Sequence, residues 1–194
     1  MRIALYGGSF NPPHVAHQLV ALYVLETVAV DQLWFIPCFQ HAFGKPLAPF
    51  GDRLTMCQRA AAALGPRARV SDVERDIGQA SRSLVTVRAL QAHHPEHSFS
   101  LVVGADLLGE IDSWFGAEEL RRTVPFVVVG RAGTPASGET PPRVGSPGAV
   151  QMPAVSSTEI RRALGEGKSV EGLVPRTVLD YIYQRGLFQA REPE

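Results

Sequence analysis

Cysteine is scarce. Cys38 and Cys57 are the only two in 194 residues, too few and too irregularly placed for a disulfide framework or a cysteine-rich zinc site. No apolar run approaches the roughly 20 residues of a membrane-spanning helix. Met1-Arg2 leads straight into an apolar strand, without the charged, apolar and small-residue segments of a secretion signal. An excess of one charge is lacking too. Nineteen basic side chains balance nineteen acidic ones, for a formal net charge of zero. That balance argues against a general nucleic-acid-binding surface, while leaving room for a local basic pocket. With 45% hydrophobic residues, the expectation is one soluble, cytoplasmic domain over residues 1–194, with no nucleic-acid or membrane partner.

Apolar runs and helical spacings alternate along the chain. RIALY (2–6), LWFIP (33–37), SFSLVVG (98–104) and PFVVVGR (125–131) read as buried strands, and RARVSDV (67–73) holds a short one. Helices are predicted over 14–28, with Val15, Leu19 and Leu22 on one stripe, and over 53–64, 83–94, 156–166 and 175–186. ADLLGEIDSWFGAEELRR reads as broken helices, residues 132–148 as an exposed loop, and AVQMP (149–153) as a last short strand. HHPEH (93–97) reads as an exposed helix end. The alternation predicts an α/β, Rossmann-like doubly wound, mainly parallel sheet flanked by helices, with C-terminal helices. Ligands then bind beyond the carboxyl ends of the strands, at the switch in strand order. The segment after the first strand, Gly104-Ala105-Asp106 and Gly130-Arg131 all fall at such ends.

GGSFNPPHVAH (7–17) concentrates special residues in one place. Gly7 and Gly8 let main-chain N–H groups approach a ligand with no Cβ in the way. Asn11 suits a turn, and Pro13 suits the first turn of a helix. The free N–H groups there, at the positive dipole end, suit a phosphate. His14 and His17 share one face of that turn, where both imidazoles could donate to phosphate oxygens; a solvated surface pair is the other reading. The segment is neither a P-loop, since no lysine precedes Lys45, nor a dinucleotide fingerprint, since position 12 is proline. A metal site is not expected, because no third ligand stands at a suitable spacing.

VSSTEIRRAL (155–164) sets three hydroxyls before a helix. Ser156 with Glu159 fits a capping box. Ser157, Thr158 and Arg161 could bind a second phosphate group at the same time.

Together, G-G-S-F-x-P-x-H-x-x-H near the start and S-S-T-x-I-R near the end resemble the nucleotidyltransferases with the H-x-G-H signature. Within these, GADLLGEIDSW (104–114) and LVPRTVLDYIYQRGLF (173–188) are similar to segments of the bacterial nicotinate mononucleotide adenylyltransferases. The resemblance implies that nicotinate mononucleotide and ATP join, with Mg²⁺ on the phosphates, to give the dinucleotide and pyrophosphate. It assigns His14, His17 and Arg161 to catalysis, with His17 stabilising the transition state. Gly7, Gly8, Ser9, Phe10, His17, Gly104, Asp106, Ser157, Thr158 and Arg161 fall to ATP. Lys45, Thr86, Trp114 and Arg131 fall to the acceptor, Trp114 as a stacking platform or a core aromatic, and Lys45 as a phosphate contact or a solvated lysine.

Three departures touch this pocket. Ala16 stands where the signature has glycine, His41 and Lys45 are four apart rather than together, and SRSLVT replaces a serine-tyrosine-threonine run. They leave open another phosphorylated acceptor, such as nicotinamide mononucleotide, and a nucleotide-binding regulator without turnover.

Overall fold

In the computed structural model, residues 1–41, 44–130 and 152–189 are described. Five strands, β1 (Arg2–Gly8), β2 (Gln32–Pro37), β3 (Ala68–Val70), β4 (Ser98–Gly104) and β5 (Phe126–Val129), form one sheet of order β3-β2-β1-β4-β5, with every pairing parallel. Side chains alternate between the faces, as the pleat dictates. Ala4, Leu33, Phe35, Val102, Val127 and Val129 enter one core, whereas Ile3, Leu5, Trp34, Ile36, Leu101 and Val128 enter the other. Both faces are therefore covered, which is why the strands read as continuous apolar runs.

Among the described residues, seven helices accompany the sheet: α1 (Val15–Thr27), α2 (Phe50–Ala62), α3 (Val73–Ile77), α4 (Ser83–His93), α5 (Ala117–Thr123), α6 (Ser157–Gly165) and α7 (Arg176–Arg185). A 3-10 segment, Ala105–Ser113, precedes α5, so the region expected as broken helices is one 3-10 run and one short helix. The short helix α3 carries too few residues for a helical period to show in the sequence. A third core joins α2 to α6 and α7 through Met56, Ile160, Val178 and Ile182. Beside it, Tyr181 donates a 2.8 Å hydrogen bond to the buried Asp52 carboxylate, and Arg185 adds an ion pair.

The apolar stripe of α1 falls on the other side from the expected one. Leu19 and Leu22 are 42% and 45% exposed, and the sheet is met by Ala21, Val24 and Leu25. This helix is apolar all round, so spacing alone does not choose the buried face; Ala21 allows the closer approach. At the other end of the chain, Met152 donates to the Gly130 carbonyl at 3.2 Å. Residues 149–151 of the expected last strand and the loop 132–148 lie outside the described residues.

Candidate active site

The sheet opens at its switch point. The β1–β4 ladder ends at Leu5 and Leu101, whereas β1 stays paired with β2 to Gly8 and β4 stays paired with β5 to Gly104. Beyond Leu5 and Leu101 the two main chains face a cleft of about 310 Å³ rather than each other. One lip carries Gly7, Gly8, His14, Ala16 and His17. The other carries Gly104, Asp106 and Trp114, with Ser81, Ser83 and Thr86 at the start of α4.

On the first lip, the two glycines differ. A Cβ at Gly7 would meet open space, so ligand can come close there; one at Gly8 would press on the Phe10 ring at 3.0 Å. Phe10 holds a left-handed backbone, φ 45°, and is 2% exposed. An aromatic residue in that region is held against a cost of about 1–2 kcal/mol. Its ring packs edge-on to Tyr6, His17 and Phe35, so it offers a ligand no side-chain surface. Ser9 turns its carbonyl inward to the Arg53 guanidinium.

His14 caps α1 and is buried, and its ring stacks on His17 with 3.7 Å between centroids. The His14 amide donates to His17 Nδ1 at 3.1 Å. An accepting Nδ1 leaves the proton on Nε2, so His17 presents a hydrogen-bond donor without being charged. The first-turn amides are not all free, as the sequence suggested: Val15 donates to the Leu173 carbonyl and His17 to that of His14. The buried methyl of Ala16 reaches the cleft wall between the two histidines. Pro13 precedes the cap rather than entering the helix.

The second constellation meets the first at the Asn11–Pro12 turn. Ser157 Oγ donates to the Pro12 carbonyl at 3.0 Å, and Arg161 Nη1 to the Asn11 carbonyl at 2.8 Å. Arg161 Nη2 also reaches Thr158 Oγ1 at 3.3 Å. Ser156 occupies the cap of α6, but its hydroxyl makes no capping bond; the expected box with Glu159 does not form. The Ser157 hydroxyl and the Arg161 guanidinium tie α6 to the opening turn instead.

On the second lip, Gly104 has a steric duty. A Cβ there would lie 2.2 Å from Asp106 Oδ1, because the exposed carboxylate folds back over it. Trp114 lines the cleft and also packs against the core. Thr86 is buried and bonded to Glu74. Lys45 is exposed and does not line the cleft; the loop that carries it turns it to solvent. Arg131 lies outside the described residues.

Two residues escaped the sequence reading. Arg53, 1% exposed, sends Nε to the Ala48 carbonyl at 2.9 Å, Nη1 to Ser9 at 3.0 Å and Nη2 to Phe39 at 3.1 Å. It binds three loops with no carboxylate among these partners, and burial lowers its proton affinity. The signal was present: Arg53 heads the buried stripe Met56, Cys57 and Ala60, where a charge demands internal partners. Nearby, burial first of all raises the Cys38 thiol, with Arg53 pulling the other way. Glu74 is the second residue, a buried carboxylate on the cleft wall that accepts the hydroxyls of both Ser81 and Thr86. No local pattern marks it.

This architecture is a parallel sheet parted beside a histidine-capped helix, and the family match identifies it as a nucleotidyltransferase. The cytidylyltransferase-like pattern matches residues 5–163, and the chain belongs to that family, within its nicotinate-nucleotide adenylyltransferase branch. The chain is 45% identical over 193 residues to the probable nicotinate-nucleotide adenylyltransferase of Anaeromyxobacter sp. (strain K), covering 96% of each. It is 36% identical to that of Myxococcus xanthus (strain DK1622), over 97% of this chain and 95% of the relative. Among solved structures, the fold matches Plasmodium falciparum nicotinic acid mononucleotide adenylyltransferase complexed with NaAD, at 20% identity and a TM-score of 0.77 over 96% of this chain and 97% of that one.

Proposed function

We propose that the cleft joins nicotinate mononucleotide to ATP, giving nicotinate adenine dinucleotide and pyrophosphate. The observation that carries this reading is the parting of β1 from β4, which sets a phosphate-side lip and a ring-side lip across one cleft. The acceptor's phosphate oxygen attacks the α-phosphorus of ATP in line. A new phosphorus–oxygen bond forms as the bond to the bridging oxygen breaks, and pyrophosphate departs with the electron pair. No side-chain nucleophile takes part, so catalysis rests on positioning and charge stabilisation.

His17 Nε2 donates to the reacting phosphate, and His14 stacks beneath it and fixes its ring. Gly7 admits the phosphates closely. Arg161, with five N–H donors and two directed contacts, to Asn11 and Thr158, among the described residues, holds the departing pyrophosphate together with Ser157 and Thr158. Gly104 and Asp106 take the ATP ribose. Mg²⁺ enters with ATP: the cleft-wall carboxylates are Glu74, engaged by two hydroxyls, and Asp106, which suits an ion held mostly by phosphate and water. Bound there, it neutralises phosphate charge. Free cysteines and the absence, among the described residues, of a helix able to cross a membrane support a cytoplasmic setting.

The ring of the acceptor stacks on Trp114. Its carboxylate lies at the first turn of α4, whose positive end prefers an anion to a neutral amide. One observation favours a second acceptor: Ser81 and Thr86 direct their protons to Glu74, so their lone pairs suit the NH₂ of nicotinamide mononucleotide. The experiment compares pyrophosphate release from MgATP with each mononucleotide. Release with nicotinate mononucleotide at least tenfold more efficient is the expected result. Equal use of both would overturn the α4 argument, and no release with either, despite ATP binding, would overturn the reaction.

A further inference from the structure

We propose a second site, for a divalent transition-metal ion of the zinc or copper kind, at the opposite pole of the sheet, held by His94, Glu96 and His97. One ligand atom from each of these residues lies within 4.8 Å of the other two. Two imidazoles and a carboxylate are a borderline donor set that suits such ions rather than magnesium. Bonds of about 2.0–2.1 Å to zinc put neighbouring donors roughly 3.4 Å apart, and His97 Nδ1 already lies 3.1 Å from Glu96 Oε1. That nitrogen is shut from water and has no aligned hydrogen bond. A buried lone pair of this kind needs a partner, and a metal ion supplies one.

The ligands are also held in advance. The His97 amide donates to the His94 carbonyl at 3.0 Å, closing a tight turn over Pro95 and Glu96. Proline fixes the backbone at its position in such a turn. The two imidazoles lie nearly parallel, 8° apart, with ring centroids separated by 5.5 Å. Trp34 packs edge-on to both, at 5.3 Å from His94 and 6.2 Å from His97, and forms the inner wall. The exposed Glu96 swings onto the ion at little cost, and the exposed side leaves room for water as a further ligand.

The turn joins the end of α4 to the start of β4. The strand then runs seven residues, about 20 Å at ~3.3 Å per residue, before it reaches the cleft. The ion therefore takes no part in adenylyl transfer. It clips α4 to β4 and stabilises the folded chain, since the unfolded chain does not hold the three donors together.

Trp34 supplies the readout. The chain has two tryptophans, so in Trp114→Phe protein Trp34 alone fluoresces. Titration with Cu²⁺ is expected to quench it by more than half and to saturate at one equivalent, and a chelator that strips the copper to restore emission. His94→Gln and Glu96→Gln each weaken binding at least tenfold and abolish the rise in Tm that Zn²⁺ gives the unaltered chain. Glu96 is exposed, so its variant carries the test even if a histidine variant fails to fold. Pyrophosphate release by Glu96→Gln protein stays unchanged. Quenching that does not saturate, survives these substitutions, or disappears instead with His14→Gln would overturn the assignment.

Discussion

The two lips of the cleft are built from the same strand ends but consume their polar groups differently. On the β1 side nearly every distinctive residue is engaged by the protein itself. Gly8 makes room for Phe10, Ser9 and Asn11 are bonded to Arg53, Ala48 and Arg161, and His14 lies buried beneath His17. On the β4 side, Ser81 and Thr86 are likewise bonded to Glu74, but Asp106 is exposed and Trp114 only half-covered. The difference separates two tasks. A reacting phosphate needs donors held within a fraction of an ångström, whereas a nucleoside needs shape and a few contacts that can settle around it. Damage to the first lip should therefore lower turnover, and damage to the second should raise KM.

The largest expected effect is that of His17→Ala. Loss of one fixed donor to a developing charge costs about 10²–10³ in kcat, or ~2.7–4 kcal/mol. Pyrophosphate release under saturating substrates should show that fall, with KM for either substrate changed less than about threefold. A change in KM alone would place His17 in binding and erase the contrast between the lips.

Arg53→Lys comes next, and it acts on the frame of the first lip. Lysine keeps the charge but cannot span three carbonyls as the planar fork does. One or two carbonyls left unbonded cost roughly 1–3 kcal/mol each. For a domain of this size that lowers Tm by about 2–24 °C. The loosened Ser9 carbonyl should lower kcat about tenfold, equivalent to ~1.4 kcal/mol. Unchanged kcat with a lowered Tm would make Arg53 a stabiliser of the fold alone.

The same contrast explains what the sequence could and could not disclose. The strands were legible because burial on both faces makes continuous apolar runs, and GGSFNPPH and SSTEIR stood out because each departs from ordinary turn chemistry. That the two segments meet, through Ser157 and Arg161 on the Asn11–Pro12 carbonyls, is a property of topology that no local pattern carries. Glu74 was invisible for a related reason: its partners Ser81 and Thr86 come from the next helix and the loop before it. Phe10 was misread in role, because its left-handed backbone turns the ring inward. The buried face of α1 was misread because a helix apolar on every side has no periodic contrast.

Gly104→Ala gives the smallest effect and the sharpest test of the second lip, because stability and affinity should move in opposite directions. Gly104 has φ −71° and ψ 146°, a conformation alanine adopts without strain. Replacing glycine at such a position stabilises by about 0.4–1 kcal/mol, through the unfolded chain. The added Cβ, however, meets Asp106 Oδ1 at 2.2 Å. The added Cβ displaces that exposed carboxylate from the position from which it would accept a ribose hydroxyl. Losing one exposed hydrogen bond of roughly 0.5–1.5 kcal/mol should raise KM for ATP about threefold, with kcat unchanged and Tm up by about 1–3 °C. A melting curve and a Michaelis titration on the same preparation check both signs. If Tm rises while KM stays constant, Asp106 does not touch the nucleotide, and the ring-side lip works through Trp114 and the start of α4 alone.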